Sequence, residues 1–272
     1  MTQISSVNDP VGHFTYGTTD NVEALNRVPA VTADFWLIKL MAVTMGETAA
    51  DFLAVNLGLG LTATSLLMAA ILIGALVLQF RQKRYVPWAY WLAVVLISIV
   101  GTLVTDNLVD NFGISLITTT IAFTILLAAT FAVWFAVEGT LSIHEVKTTR
   151  REAFYWLAIL FTFALGTAAG DLVAEKFALG YMATGILFGM IIASITLGYF
   201  ALKLNGILAF WIAYIFTRPL GASFGDLLSQ PTEYGGMGLG TIITSAIFFA
   251  AIVAIVAYMT KVREGTEEVL LG

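Results

Sequence analysis

The chain has 272 residues, of which 59% are hydrophobic and 11% charged, with a formal net charge of −5 and a mean hydropathy of +0.90. Soluble domains carry roughly a quarter charged residues, so this supply is too small to build a water-facing surface. There are no cysteines, and the two histidines, His13 and His144, lie in polar segments. Disulfides, thiolate metal ligands, cysteine nucleophiles and a Ser-His-Asp triad within a membrane are thereby excluded.

Residues 1–33 are polar and mixed. They lack the basic start, short apolar core and small-residue cleavage site of a signal peptide. Eight apolar stretches follow, most close to the roughly 20 residues that a spanning helix needs. Four of them, 35–55, 63–80, 88–108 and 114–137, make a first membrane half over 34–138. A hydrophilic connection follows at 139–152. The other four, 153–173, 183–202, 207–228 and 242–259, make a second half over 153–262, and 263–272 forms a tail. Strict period-2 alternation is absent, which argues against a β-barrel. The predicted class is an all-α integral membrane protein of about eight transmembrane helices, arranged as four pseudo-symmetric helical hairpins.

Lys and Arg near the span ends set the orientation. Arg81, Lys83 and Arg84 follow the second span, Lys147, Arg150 and Arg151 the fourth, Lys203 the sixth, and Lys261 and Arg263 the eighth. The opposite connections hold only Lys176 and are otherwise acidic. The expectation is a multi-pass protein of the cell (inner) membrane with both termini cytoplasmic. Lys39, near the inner end of the first span, is expected to snorkel to the interface.

The odd spans share an internal repeat of the form G-x-x-x-x-D. It reads Gly46 to Asp51, Gly101 to Asp106, Gly166 to Asp171 and Gly221 to Asp226. The copies are spaced by 55, 65 and 55 residues, so the two halves are offset by 120. Each copy sits at the same depth of its span, which implies a pseudo-symmetry axis along the membrane normal. The glycines and their small neighbours are expected to be helix contacts. The four aspartates fall near the outer boundary, beside that small-residue seam. Acids inside a membrane usually face a bundle interior or an aqueous path. Converging carboxylates repel one another, and a bound cation or protons relieve the repulsion.

Two residues break the repeat. Glu47 lies one helical turn below Asp51, where the other copies have Thr102, Thr167 and Ala222. Arg218 stands where the others have Val43, Ser98 and Phe163, and precedes Pro219, a residue expected to kink its helix. Arg218 is expected to pair with Glu47 or with a repeat aspartate. The halves are expected to set Asp51 opposite Asp171 and Asp106 opposite Asp226, around one site.

At these motifs the chain resembles membrane proteins built from the DUF347 repeat. The stretches that carry the resemblance are Gly46–Asp51, Thr105–Asn107, Gly166–Asp171 and Arg218–Asp226, and it extends over roughly residues 34 to 262. The resemblance implies four hairpin repeats and suggests an association with metal-ion export.

The leading reading is a secondary transporter, an exporter, of a hard metal cation. Oxygen ligands alone suit Mn²⁺-like ions, and Al³⁺ fits the same chemistry. The ligand set is Glu47, Asp51, Asp106, Asp171 and Asp226, with Thr48, Thr102, Thr167, Ser223 and Arg218 supporting or gating it. Proton coupling fits, because carboxylates release protons to bind metal. No nucleotide-binding motif is present and no resident cofactor is expected. The expected partners are the metal cation, protons and the lipid bilayer, with no nucleic acid. An intramembrane aspartyl enzyme is the alternative, although the first glycine of G-x-G-D is missing before both Asp171 and Asp226. A non-transporting scaffold is the third reading, with few long connections to serve it.

Overall fold

The computed structural model of the chain describes residues 26–271, so most of the polar N-terminal segment lies outside the described residues. Eight long helices run through the described residues: α1 Ala33–Asp51, α2 Leu61–Phe80, α3 Pro87–Asp106, α4 Leu116–Glu138, α5 Thr149–Asp171, α6 Gly180–Leu202, α7 Gly206–Ser229 and α8 Thr241–Leu271. No strand occurs among the described residues. Their starts follow local chemistry. Thr32, Ser115 and Thr148 accept the backbone N–H three residues on, and Asn205 caps α7 through Ile207 and Leu208. Pro87 opens α3, where its missing N–H costs nothing. The stretch 263–271, expected as a tail, continues α8. After the repeat aspartate, α1, α3 and α5 each pass into a one-turn π-helical segment, Phe52–Asn56, Asn107–Asn111 and Leu172–Lys176. In α7 the chain instead reaches Pro231 and a short 3₁₀ turn, Thr232–Tyr234.

The odd helices form a closed inner ring in which α1 packs on α3, α3 on α5, α5 on α7, and α7 back on α1. The even helices lie outside it. The helix α2 rests on α3, α4 on α5, α6 on α7, and α8 on α1. The expected hairpins are therefore hairpins in sequence only, because each even helix lies chiefly along the next odd helix. Gly58 and Gly60, at φ of 68° and 76°, allow the chain to swing across after the first π turn.

Seven helices, α2 to α8, are long and apolar enough to cross a membrane among the described residues. Eight such spans were expected. The exception, α1, has the length but carries Asp34, Lys39, Glu47 and Asp51. Of these, Lys39 and Glu47 are buried among the other helices, Asp51 is half-buried and Asp34 is exposed. The outer helices turn large apolar side chains outward, including Leu66, Ile73, Ile125, Leu197, Phe200 and Ile243.

One contact repeated four times closes the inner ring. Gly46 faces Ser98, Gly101 faces Phe163, Gly166 faces Arg218, and Gly221 faces Val43. Each partner lies three residues before the glycine of the neighbouring odd helix. A Cβ on any of these glycines would overlap the partner side chain, so the ring diameter depends on them. A second cycle closes the basic end of the ring, where 81–86, 139–148 and 203–205 connect the helices. Phe35, Tyr90, Tyr155 and Phe210 are buried, and a tryptophan follows each. Phe35 meets Trp91 at 5.7 Å between ring centroids, Tyr90 meets Trp156 at 5.4 Å, Tyr155 meets Trp211 at 6.2 Å, and Phe210 meets Trp36 at 5.7 Å. Across that end runs a strap at residues 26–28. The Asn26 side chain donates to Ile143 O, the Arg27 N–H donates to Val146 O, and Arg27 pairs with buried Glu152 at 2.5 Å.

Candidate cation site

The site is built from the repeat level by level along the ring axis. At the lowest level stands Lys39, with Tyr214 as its counterpart on α7. Lys39 is fully buried, so the expected snorkelling does not occur. Its Nζ donates to Tyr214 O at 2.8 Å and lies 3.8 Å from the centroid of the Tyr214 ring. The aromatic cycle closes the route to the interface, and a carbonyl and a ring face replace water.

One turn further stands Arg218, 0% exposed. Its guanidinium leaves α7 and reaches across the ring. Nη1 is 2.8 Å from Glu47 Oε2 on α1, and Nη2 donates to Thr102 on α3 and, at 2.8 Å, to Thr167 on α5. Thr102 also donates to Glu47 Oε2 at 3.1 Å. The expected pairing of Arg218 with Glu47 is therefore present. The contact at Nη1 is close but not aligned, and Nε and Nη1 make no hydrogen bond among the described residues. The helix α7 runs unbroken through Pro219, whose ring lies against Gly166 and Gly170 of α5.

Above this level lie the carboxylates. Oxygens of Glu47, Asp171 and Asp226 all lie within 4.8 Å of one another, so α1, α5 and α7 converge on one point. Glu47 is buried and the two aspartates are half-buried. Neither aspartate accepts a hydrogen bond from a protein side chain among the described residues, which leaves both with open acceptor capacity. Asp51 and Asp106 were expected in the same ligand set, yet both stand outside this cluster. Asp51 instead receives a long contact from Gln230 Nε2, at 3.4 Å. The ring order does place α1 across from α5 and α3 across from α7, as the 120-residue offset implied.

The neutral oxygens divide by helical phase. Thr102 and Thr167, one residue after the repeat glycine, point inward to Arg218. Thr48 and Ser223, two residues after it, are turned by about 100°. Thr48 bonds Ser245 of α8 at 2.7 Å, and Ser223 returns to Pro219 O at 2.8 Å. These two were expected to support the site but serve helix packing.

Several site-forming residues escaped the sequence reading. The dipeptides Phe35-Trp36, Tyr90-Trp91, Tyr155-Trp156 and Phe210-Trp211 each begin eleven residues before a repeat glycine, a register legible once the glycines are aligned. Asn107 is another, holding Ser65 of α2 and accepting from Thr62 at 3.1 Å.

Four repeats whose glycines and aromatics pack in one cycle define a family architecture. The family model described as Repeat of Unknown Function (DUF347) matches four times, at residues 35–85, 89–140, 154–204 and 209–264. The chain belongs to the DUF347 repeat family. Each matched repeat covers one inner helix and the outer helix that follows it. No curated protein and no solved structure matches the chain. A cavity of 790 Å³ lies apart from the carboxylates, against α1, α6 and α7 near the basic end, with Trp36, Phe210, Phe200 and His144 among its walls.

Proposed function

We propose that this DUF347 protein is a multi-pass membrane transporter that moves a hard, Mn²⁺-like metal cation outward, with Glu47, Asp171 and Asp226 as the cargo ligands. The observation that carries the reading is the convergence of three carboxylates, from three helices of the inner ring, within 4.8 Å. Such a group of oxygens suits Mg, Ca or Mn more than thiophilic metals. Membrane residence is supported by the seven apolar helices and by the outward Leu, Ile and Phe side chains of the outer ring. A surface of that kind in water would aggregate. The excess of Lys and Arg at the aromatic end supports placing that end in the cytoplasm.

In that orientation the conformation is closed inside by the Phe/Tyr–Trp cycle and the 26–28 strap, while the carboxylates lie toward the outside. Cargo leaves outward from such a state, and loading from the cytoplasm requires the aromatic cycle to part. Protons are suited to fill the emptied carboxylates, which makes proton exchange the natural coupling.

One observation favours a second reading. Asp171 and Asp226 each follow a glycine and stand close together, as a two-aspartate hydrolase requires. Such an enzyme has no use for Glu47 or for metal.

The test is Mn²⁺ uptake by proteoliposomes holding purified protein, with E47Q and D171N alongside. Saturable, protein-dependent flux lost in both variants is the expected result. Absence of flux for every hard cation tried, from folded protein, removes the transport reading. Peptide cleavage that survives E47Q and fails in D171N favours the enzyme.

A further inference from the structure

The cavity of 790 Å³ beside α7 lies apart from the carboxylates and has a different chemistry. Both α1 and α6 pack on α7, and the cavity is the groove between them. Along α7 its wall runs from Gly206 to Leu220, about 21 Å at 1.5 Å per residue. Tyr199 and Phe200 line it and remain exposed, so it opens sideways where the outer surface meets lipid. Trp36, Leu40 and Ile195 give it apolar walls. Thr32, Ser142, His144 and Asn205 make a polar rim at the basic end. A void among apolar side chains forfeits dispersion contacts, so a bilayer fills such a groove with an acyl chain. Which lipid stays there depends on the rim.

The rim does not come from the repeat. Ser142 and His144 belong to the stretch that lengthens the spacing between the halves from 55 to 65 residues. That stretch is pinned over the groove by Trp211, whose Nε1 donates to Leu141 O at 2.9 Å, and by Asn26, whose side chain donates to Ile143 O at 3.0 Å. Both α1 and α7 begin at the rim and turn their positive ends toward it. The acids of the connection, Glu138, Glu145 and Glu152, already hold Arg150, Arg151 and Arg27. Lys147, three residues after His144, and Lys203, exposed in the turn between Phe200 and Asn205, form no ion pair among the described residues. Against these two charges stands Asp34, exposed in the first turn of α1.

We infer that this groove is a binding site for an anionic phospholipid of the leaflet at the basic end, with one acyl chain along α7 and the headgroup at the His144–Asn205 rim. Basic pockets between transmembrane helices retain anionic headgroups in this way. The inference rests on membrane residence and is independent of the cation reading. The bound chain lies against Trp36 and Phe210, one of the four joints of the aromatic cycle, so the lipid braces that closure from outside.

The experiment is native mass spectrometry of the purified full chain, titrated in detergent with dioleoylphosphatidylglycerol or dioleoylphosphatidylcholine. Wild type is expected to retain one phosphatidylglycerol about fivefold or more better than phosphatidylcholine. T196W and I195W each place a bulky ring in the groove and are expected to lose that lipid, whereas L66W, on the exposed face of α2, is expected to keep it. K147Q/K203Q is expected to lower phosphatidylglycerol retention about fivefold and to leave phosphatidylcholine unchanged. If circular dichroism shows both groove variants misfolded, K147Q/K203Q carries the test, since it changes no buried side chain. Equal retention of the two lipids by wild type, or phosphatidylglycerol retention unmoved in K147Q/K203Q, overturns the anionic site. Unchanged retention in folded T196W and I195W overturns its place in the groove. A wild-type dimer that retains no lipid and dissociates in T196W makes the groove an interface between copies instead.

Discussion

Glycine inside a helix costs about 0.5–1 kcal/mol relative to alanine, so four at one register need a contact that repays them. That contact is the neighbouring helix. At Gly166 an added Cβ would overlap Cβ and Cγ of Arg218 and crowd Pro219. The prediction is that Gly166→Ala lowers stability by about 1–3 kcal/mol, as overpacking does. Gly74, on the exposed face of α2 with nothing within 4 Å of its would-be Cβ, is the control. There Gly74→Ala is expected to be neutral or to stabilise by up to about 1 kcal/mol. Thermal unfolding in detergent compares the two. A fall of the same size at both positions would mean that helix propensity, not the ring contact, decides the outcome. The glycines were legible in the sequence as contacts, because their spacing repeats. Their partners were not, since a residue 52 to 178 positions away is assigned only when the order of the helices round the ring is known. Lys39 was misread for a related reason. A lysine near a span end ordinarily reaches water, and only the aromatic cycle beneath it removes that option.

At the scale of elements, helix boundaries were legible to within a few residues except at the end of α8, because hydropathy and capping residues act locally. Which helix lies along which was not, because an apolar outer helix fits any inner neighbour. Polar ties record the choice. Asn107 and Ser65 join α2 to α3. At the basic end Glu152 of α5 accepts from Gln79 of α2 at 3.0 Å, from Trp156 at 3.3 Å, and from Arg27 of the strap at 2.5 Å. Glu152 is fully buried, so its charge depends on those donors. Removing one member of a buried ion pair costs about 3–5 kcal/mol, whereas removing both costs far less. Arg27→Met alone is expected to destabilise strongly, and Glu152→Gln in the same chain to recover part of the loss. A double-mutant cycle of unfolding free energies measures the coupling. Strict additivity would mean that the strap does not hold this end of the bundle through Glu152.

Across the whole molecule, charge is divided between the two ends and the ring between them is asymmetric. The carboxylate cluster lies at the end whose connections are acidic, and the aromatic cycle at the end rich in Lys and Arg. The sequence made this division legible through the repeat, which fixes all four aspartates at one level. It did not reveal that only two of them join Glu47, because that depends on how far each helix leans inward at its last turn. Sidedness decides what the division does. With the basic end in the cytoplasm, the conformation is closed inside and holds its carboxylates toward the exterior. The absence of cysteine makes this directly measurable, because a single introduced cysteine is the only thiol. Lys83→Cys and His144→Cys mark one end, and Asn111→Cys and Tyr234→Cys the other, all four at exposed positions. A membrane-impermeant maleimide is expected to label the last two in intact cells and the first two only after permeabilisation. The opposite pattern would turn the carboxylates toward the cytoplasm. The same aromatic closure would then be an outer gate, and outward movement of cargo would have to begin, not end, in this conformation.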